Sequence, residues 1–343
     1  MRIIRKHAEK KPIVIDPFCG RGTTIYAARK LGLASYGLDT SPIAAAIARA
    51  KLASARLEDV IALGESYVSI APKDVPNTHF FRRAFSRETL RQLCSLREGL
   101  LGEHRNSNAS AILRAAALGC LHGPAVGKGG IPSYFSNQMP RTFATKPDYS
   151  LRYWRERALL PPNANVMDTI KKKLDRIPDL DSDVSGRIYN VRCRDARKYN
   201  SYSNMEKFSL AITSPPYYGM RTYVQDQWLR MWFLGGMAHV EYQNNDQLCH
   251  AGQKAFISDL ASVWRNLRKH AERNAHLYIR FGTIPSVKCD AKQLMISSLK
   301  ESEGWRLVSV RNACSSAAGK RQADQMGGES DAADEFDFHA VRD

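Results

Sequence analysis

Apolar runs alternate with helical patterns near the start of the chain. Residues 12–15 form a compact apolar run that predicts a buried strand, and residues 34–38 predict a second one. A helix is expected between them over residues 24–31, and an alanine-rich helix is expected over about 42–57. Strand, glycine-containing turn, helix and strand together indicate a βαβ unit of the nucleotide-binding kind.

The same alternation returns in the second half of the chain. Five further strands are predicted, at residues 187–193, 208–212, 275–281, 305–310 and 335–341. Helical patterns lie between several of them, over residues 256–270 and 288–301. The last two strands are expected to pair as an antiparallel hairpin that closes one edge of the sheet. Seven strands interleaved with helices indicate an α/β fold.

The middle of the chain interrupts this alternation. Helices are predicted over residues 87–101, 109–121 and 166–177, and the glycine-rich residues 123–133 predict a loop. The sequence therefore predicts three parts, with residues 1–61 and 186–343 as two halves of one sheet domain and residues 62–185 as a largely helical insertion.

Composition excludes several classes of protein. The chain has 343 residues, of which 43% are apolar and 25% charged, as is typical of a globular protein with a large core. We see no membrane-spanning apolar run and no secretory leader, so a cytoplasmic protein without a membrane partner is expected. The seven cysteines are scattered and never spaced Cys-x-x-Cys, which argues against a disulfide framework and against a cysteine zinc site. No metal is expected.

The formal net charge of +17 indicates a polyanionic partner. Residues 80–200 contain 22 Lys and Arg against 11 Asp and Glu, whereas residues 315–343 contain 3 against 7. Basic side chains bind nucleic-acid phosphates and release the counterions condensed on them. Nucleic acid is therefore the expected partner, and the basic charge is concentrated in the middle of the chain.

Acidic residues and glycines mark the ends of the first two predicted strands. Asp16 follows the first strand and Asp39 follows the second. Between them, Gly20 and Gly22 allow a tight turn and close approach of a ligand, and Thr23 is expected to cap the next helix. The third glycine of a dinucleotide site is missing, so no pyrophosphate needs a cradle. Asp39 suits the hydroxyls of a ribose and Asp16 suits an ammonium group, which together predict an adenosine-containing ligand without phosphates.

A stiff turn follows the strand predicted at residues 208–212. It consists of Thr213, Ser214, Pro215, Pro216, Tyr217 and Tyr218. Neither proline has an N–H to continue the ladder, so the chain must leave the sheet and hold Ser214 and both tyrosines at the carboxyl end of the strand. In open α/β sheets that end is where ligands bind. The alternative interpretation is an ordinary turn at the end of a strand.

Aromatic and arginine residues interleave within residues 134–157. The candidates for contact with nucleic acid are Arg141, Arg152, Trp154 and Arg155. Guanidinium groups can hold phosphates, and aromatic rings can stack on bases. The alternative is an amphipathic helical subdomain whose aromatic residues form its core.

At these places the residues resemble the signatures of the S-adenosylmethionine-dependent amino DNA methyltransferases, which modify exocyclic nitrogens. The cofactor signature of that family resembles Asp16-Pro17-Phe18-x-Gly20-x-Gly22-Thr23, and its catalytic signature resembles Thr213-Ser214-Pro215-Pro216-Tyr217. The resemblance covers about residues 1–60 and 186–343. It implies a Rossmann-like, seven-stranded class I methyltransferase sheet, with residues 62–185 as the target-recognition region.

The resemblance also implies the partners and the roles of residues. The cofactor implied is S-adenosyl-L-methionine, and the substrate implied is double-stranded DNA. Cofactor contacts are expected at Asp16, Pro17, Phe18, Gly20, Gly22, Thr23, Asp39, Asp195 and Ala196. Catalytic roles are expected for Thr213, Ser214, Pro215, Pro216 and Tyr217, and contact with nucleic acid for Tyr218. The family's further cofactor-contacting segment is expected to be abbreviated or supplied elsewhere, because eleven residues precede the first strand.

The chemistry expected from the resemblance is methylation of an amino group. The oxygen of Ser214 and the carbonyl of Pro215 would accept the N–H protons of the amine, while Tyr217 stacks on a base extruded from the duplex. Serine at 214 resembles the cytosine-N4 branch, whereas Asp or Asn is commoner among adenine-N6 enzymes. No Pro-Cys dipeptide occurs, so cysteine attack on a ring carbon is unsupported.

The sequence thus predicts a site-specific DNA methyltransferase, prokaryotic or phage-encoded, that favours cytosine N4. A cognate restriction endonuclease would be a further partner, as in restriction–modification systems. Three alternatives stay open, which are adenine-N6 methylation of DNA, methylation of an RNA base, and a catalytically silent relative that only binds nucleic acid.

Overall fold

A computed structural model describes residues 1–102, 107–124, 130–139, 147–177, 189–220, 227–241, 247–284, 287, 289–313 and 335–343. The strands of the described chain are β1 (Val14–Asp16), β2 (Ser35–Asp39), β3 (Tyr189–Cys193), β4 (Phe208–Thr213), β5 (Ala271–Gly282), β6 (Trp305–Asn312) and β7 (Glu335–Arg342). Its helices are α1 (Arg2–His7), α2 (Thr23–Arg29), α3 (Pro42–Ala50), α4 (Leu57–Val68), α5 (His79–Ala84), α6 (Arg87–Leu101), α7 (Asn108–Cys120), α8 (Pro147–Glu156), α9 (Val166–Leu174), α10 (Trp228–Phe233), α11 (Gln253–His270) and α12 (Ala291–Ser302).

All seven strands form one sheet in the order β3-β2-β1-β4-β5-β7-β6. Strands β1 to β5 run parallel, and β7 is antiparallel to both of its neighbours. The carboxyl ends of the five parallel strands therefore lie along one edge of the sheet, which we call the catalytic edge. The predicted Rossmann-like class I methyltransferase sheet is confirmed, and so is the antiparallel hairpin at its end.

The core behind the catalytic edge is built by α11 and α12 against the sheet. Phe256, Leu260 and Trp264 follow one another at helical spacing on α11, and all three are fully buried in one cluster with Leu277 of β5. Burying each such side chain stabilises the fold by roughly 1.5–3 kcal/mol. The Trp264 indole N–H also donates to Ser298 of α12 at 3.0 Å, which keeps this large side chain from burying an unpaired donor.

The chain forms two compact units. One consists of Met1–Ala48, Gly186–Arg221 and Asp246–Asp343 and contains the sheet, and the other consists of Arg49–Ser185 and Thr222–Asn245. Two segments, residues 49–61 and 222–245, thus fall in the second unit, whereas the sequence-based division assigns them to the sheet. For the later segment the reason is packing, because Trp228 and Trp232 of α10 lie 5.9 and 4.7 Å from the ring of Phe81 on α5.

Local signals set some element bounds and not others. Helix α6 has the bounds predicted for it, because Ser86 caps its start by accepting the Thr89 N–H at 3.2 Å. The prediction that the alanine-rich helix reaches about residue 57 was wrong, because α3 ends at Ala50 and α4 begins at Leu57. Part of the loop predicted at residues 123–133 lies outside the described residues.

Among the helices of the described residues, none combines the length and the apolar character that crossing a bilayer requires.

Candidate active site

The glycine turn after β1 has a backbone that only glycine adopts easily. Gly22 has φ +76°, and a Cβ there would lie 2.9 Å from the Cβ of Ala48 on α3. A side chain at this position would be strained both by the dihedral and by the contact. Gly22 is also the N-cap residue of α2, so the helix begins at Thr23, and the predicted cap at Thr23 was wrong by one residue.

Gly20 and Asp39 form the open part of this turn. Gly20 has φ +49°, and a Cβ added to it would meet no atom within 4 Å. Its N–H donates to Asp39 Oδ2 at 2.9 Å, and the Ser41 N–H donates to Asp39 Oδ1 at 2.8 Å. Burial raises the pKa of Asp39, and these two donors partly oppose that rise. The carboxylate is thus held in one orientation beside a glycine whose backbone is open to a ligand, so the residues present fit the adenosine ligand predicted from sequence.

Asp16, at the end of β1, is buried and hydrogen-bonded. It is 4% exposed and accepts the Phe18 N–H at 3.1 Å and the Thr213 hydroxyl at 2.7 Å. Burial raises the pKa of Asp16 to about 6, although hydrogen bonds from Thr213, Thr24 and Phe18 act in the opposite direction. At neutral pH this carboxyl group is therefore mainly ionised, and it suits the ammonium group assigned to it.

The two sequence signatures meet at the catalytic edge. Strands β1 and β4 are neighbours, with Val14 opposite Leu210 and Ile15 opposite Ala211. This pairing brings Thr213 next to Asp16, 197 residues earlier in the chain, where the hydroxyl of Thr213 donates to the carboxylate. The described structure therefore links Thr213 to the cofactor signature, and its hydroxyl is engaged with Asp16.

The proline turn presents Ser214 to solvent and fixes Tyr217. The Ser214 side chain is exposed, and Pro215 after it is buried. The Tyr217 hydroxyl donates to Glu335 Oε1 at 2.7 Å, and its ring makes an edge contact with Phe281, with centroids 5.6 Å apart. Pro216 and Tyr217 are half-buried, so the turn offers both an exposed hydroxyl and a partly exposed aromatic ring.

His250 supports the far end of the same turn. The Gly219 N–H donates to His250 Nδ1 at 3.0 Å, which places the proton of the neutral imidazole on Nε2. The Tyr218 ring packs against Phe256 at 5.3 Å and lies 6.1 Å from His250. Tyr218, predicted to contact nucleic acid, is half-buried among these rings, and any such contact would use its exposed part.

The remaining cofactor candidates, after β3, have partners within the chain. Asp195 forms a two-point pair with Arg197, at 3.0 Å from Nε and 2.8 Å from Nη2, and Arg197 reaches Asp259 of α11 at 2.8 Å. Ala196 is 4% exposed, and its carbonyl accepts the Tyr202 hydroxyl at 3.0 Å. The chain thus ties the tip of β3 to α11, and cofactor contact at Asp195 and Ala196 stays a prediction. Pro17 is buried and Phe18 half-buried beside Asp16.

The described candidates for nucleic-acid contact differ in burial. Trp154 is fully buried, with its indole N–H donating to the Gln138 carbonyl at 2.9 Å, so the prediction that it stacks on a base was wrong. Its ring lies 5.6 Å from Phe80, and it serves as core. Arg152 and Arg155 on the same helix are exposed, whereas Arg141 lies outside the described residues.

Sequence reasoning missed four residues that hold the candidate active site together. They are Thr24, Arg197, His250 and Glu335. One of them had a usable signal, because an antiparallel last strand begins, rather than ends, at the edge where the parallel strands end. Glu335 is the first residue of that strand, so the predicted hairpin alone could have placed it at the catalytic edge.

Comparisons with known proteins found a match to one family model and matches to solved structures. Residues 1–50 match the family model of a DNA methylase (N6_N4_Mtase), whereas no curated protein matches the chain. A SAM-dependent methyltransferase from Methanosarcina mazei is 9% identical with a TM-score of 0.38, over 100% of this chain and 97% of that one. The rRNA methyltransferase aviRa from Streptomyces viridochromogenes is 11% identical with a TM-score of 0.32, over 98% of this chain and 82% of that one.

Because these TM-scores are low, the fold assignment rests on the order of the strands in the sheet and not on the matches to solved structures. The family match covers the βαβ unit with Asp16, Gly20, Gly22 and Asp39, which are the residues of the cofactor signature. The resemblance to the S-adenosylmethionine-dependent amino DNA methyltransferases is thereby confirmed, with S-adenosyl-L-methionine as the cofactor.

Proposed function

We propose that this S-adenosylmethionine-dependent methyltransferase acts on DNA and methylates the exocyclic amino group of an extruded base, with cytosine N4 as the favoured target. The observation that carries the proposal is the hydrogen bond of 2.7 Å from Thr213 to Asp16. It joins the cofactor signature to the turn that begins with Ser214. The two signatures therefore lie together at one edge of the sheet, which supports assigning one of them to each substrate of a methyl transfer.

Three residues of the cofactor signature are assigned to the bound nucleoside. Asp39, oriented by two backbone N–H donors, is the acceptor for ribose hydroxyls, and the space over Gly20 lets the ligand approach the backbone. Asp16 pairs with the ammonium group. S-adenosylmethionine, when bound, supplies a methyl group on a sulfonium, which is electrophilic enough to need no activation by the protein.

The task of the proline turn is to orient a weak nucleophile. The lone pair of an aromatic amino group is drawn into the ring, so the amine reacts only when it is held in line with the methyl group. The exposed oxygen of Ser214 and the carbonyl of Pro215 accept its N–H protons, and Tyr217 stacks on the base. The N–H proton that the amine would lose on methylation lies at the exposed oxygen of Ser214, from which it would pass to water.

DNA is the substrate that the exposed face of α8 favours. Tyr149 and Tyr153, one helical turn apart, stack with ring centroids 6.3 Å apart, and the Arg157 guanidinium lies 4.2 Å above the Tyr153 ring. Arg152 and Arg155 are exposed beside them. We assign this face to contact with duplex DNA, because guanidinium groups bind phosphates and the tyrosine pair offers a flat surface to bases or sugars.

A nucleoside analysis tests substrate and target together. Purified protein is incubated with duplex DNA and methyl-labelled cofactor, and the DNA is then digested to nucleosides and separated. We expect label in N4-methylcytosine, whereas label in N6-methyladenine would move the target to adenine. Label in 5-methylcytosine, or transfer to RNA alone, would refute the proposal.

A Ser214→Ala variant tests the role assigned to Ser214. Removing one acceptor of the amine is expected to lower kcat by about 10- to 100-fold. The Kd for the cofactor should change little, because Ser214 contacts the amine and not the nucleoside. Equal loss of turnover and of cofactor affinity would contradict the role of Ser214.

A further inference from the structure

Glu335, which lies outside both signatures, is hydrogen-bonded to Tyr217 of the proline turn. The Tyr217 hydroxyl donates to Glu335 Oε1 at 2.7 Å, across 118 residues of sequence. A hydrogen bond to a carboxylate is stronger than one between neutral groups, and Glu335 is half-buried, which protects the bond from water. The acidic residue is thus a strong fixed point for the phenol.

The direction of β7 is what brings Glu335 to this place. Parallel strands end at the catalytic edge, but β7 runs antiparallel and begins there, with Glu335 opposite Gly282 and Phe336 opposite Phe281. Phe281 is also the residue whose ring meets Tyr217 edge-on, with an interplanar angle of 81°. The ends of two neighbouring strands, β5 and β7, therefore hold one tyrosine.

Two contacts at different points of the ring restrict both of its torsions. The Phe281 contact limits rotation of the ring about its axis, and the Glu335 contact fixes the position of the hydroxyl. Arg280 of β5 is held by Asp337 at 2.8 and 2.9 Å and places a positive charge near Glu335. The ring is consequently preorganised before any substrate arrives.

We infer that Glu335 is a positioning residue of the methyl transfer, which fixes Tyr217 as the surface on which the extruded base stacks. The inference rests on the proposed function. A base stacked on a fixed ring presents its amino nitrogen in one position, whereas a loose ring lets the nitrogen drift from the line of attack. Loss of Glu335 therefore slows the transfer step and leaves cofactor binding unchanged.

A double-mutant cycle on kcat tests this role. Glu335→Ala and Tyr217→Phe each remove one partner of the same hydrogen bond, and each is expected to lower kcat about tenfold. The double variant should then also be about tenfold slower than wild type, since the bond can be lost only once. Glu335→Gln, which keeps an oxygen acceptor, should restore most of the activity, and the cofactor Kd should stay constant throughout.

The matched control is Asp343→Asn, at the opposite end of the same hairpin, where Asp343 pairs with Arg306 at 3.2 Å. It should leave kcat at the wild-type value. Independent effects, which multiply to about a hundredfold in the double variant, would overturn the inference. So would a wild-type kcat in Glu335→Ala, or equal losses of kcat and cofactor affinity.

The failure of this inference is distinguishable from failure of the proposed function. If wild-type protein methylates DNA and Glu335→Ala does so equally fast, only the inference fails. If wild-type protein transfers no methyl group to DNA, the proposed function fails and the inference fails with it. Should Glu335→Ala not fold, the cycle is repeated with Glu335→Met, which keeps the length of the side chain without an oxygen acceptor, and absence of coupling to Tyr217→Phe then overturns the role of Glu335.

Discussion

Replacing Thr213 by valine is expected to change how cofactor affinity depends on pH. The substitution keeps the shape of the side chain and removes the hydroxyl that donates to Asp16 at 2.7 Å. Asp16 is 4% exposed, so water does not readily replace the lost donor. Its ionised form becomes less stable relative to the neutral form, and the pKa of Asp16 rises above its value of about 6.

The magnitude follows from the hydrogen bond. A hydrogen bond to a charged group contributes about 1.5–3 kcal/mol, and one pKa unit corresponds to about 1.4 kcal/mol, so the pKa of Asp16 should rise by about 1–2 units. At pH 7 the ionised fraction then falls from roughly nine-tenths to between a half and a tenth. Because only the carboxylate attracts an ammonium group, the cofactor Kd at pH 7 should increase by about 2- to 10-fold.

Calorimetric titration with S-adenosylhomocysteine between pH 5 and 8.5 measures the effect. The ratio of the Kd values of Thr213→Val and wild type cancels the titration of the ligand's own amino group. This ratio should be largest at the low end of the pH range, where Asp16 is less ionised in the variant than in wild type, and approach one at high pH, where Asp16 is ionised in both proteins. Thr213→Ser, which keeps the hydroxyl, is the control and should follow wild type.

Unfolding of the unliganded protein gives a second readout with a definite sign. The pKa of Asp16 is raised on folding, so its contribution to stability is present at low pH and is lost as pH rises from about 4 to about 6. In Thr213→Val this loss extends to a higher pH. The variant should therefore become progressively less stable than wild type above pH 6, and a pH-independent difference, or superimposed Kd profiles, would refute the coupling of Thr213 to Asp16.

Two further predictions concern the glycine turn and the helix α8. Gly22→Ala should lower the free energy of unfolding by about 2–4 kcal/mol, because position 22 combines a positive φ with a close backbone contact. Gly20→Ala should lower it by only about 1–2 kcal/mol and should mainly weaken cofactor binding. Chemical denaturation measures the first effect and cofactor titration the second, and equal destabilisation by the two variants would contradict this prediction. Replacing Arg152 and Arg155 by glutamine should reduce the slope of a plot of log K for DNA binding against log salt concentration by about 1.8, because two phosphate contacts are lost. The control Lys171→Gln removes a lysine that is already paired with Glu65, and it should leave the slope unchanged.

The order of elements and the composition of the catalytic edge could be predicted from sequence because their causes are local. One apolar run ends at Asp16, and another is followed by Thr213 and two prolines. These local signals end a strand, so the sequence alone identifies the residues at the end of each strand. Helix α6 is a second example, since Ser86 and the helical pattern after it specify both the start and the length. The resemblance to a family depended on the same short signatures.

Other features depended on contacts between distant residues. Trp154 has the same neighbours in sequence as the exposed arginines beside it, and only its position against Phe80 makes it a core residue. The end of α3 at Ala50 has no glycine or proline to mark it, so the alanine-rich pattern predicts a helix that the fold does not continue. In both cases the local signal is compatible with two outcomes, and packing selects one.

The sequence by itself determined the strands, the two signatures, the charge and the chemistry expected of them. Tertiary structure decided which groups of the candidate active site contact each other, namely Asp16 with Thr213 and Tyr217 with Glu335, because strand order and strand direction bring together residues 197 and 118 positions apart. Burial, which raises the pKa of Asp16, likewise arises only once the sheet has formed around it. Local propensity acts over a few residues, whereas these contacts depend on how separate segments pair.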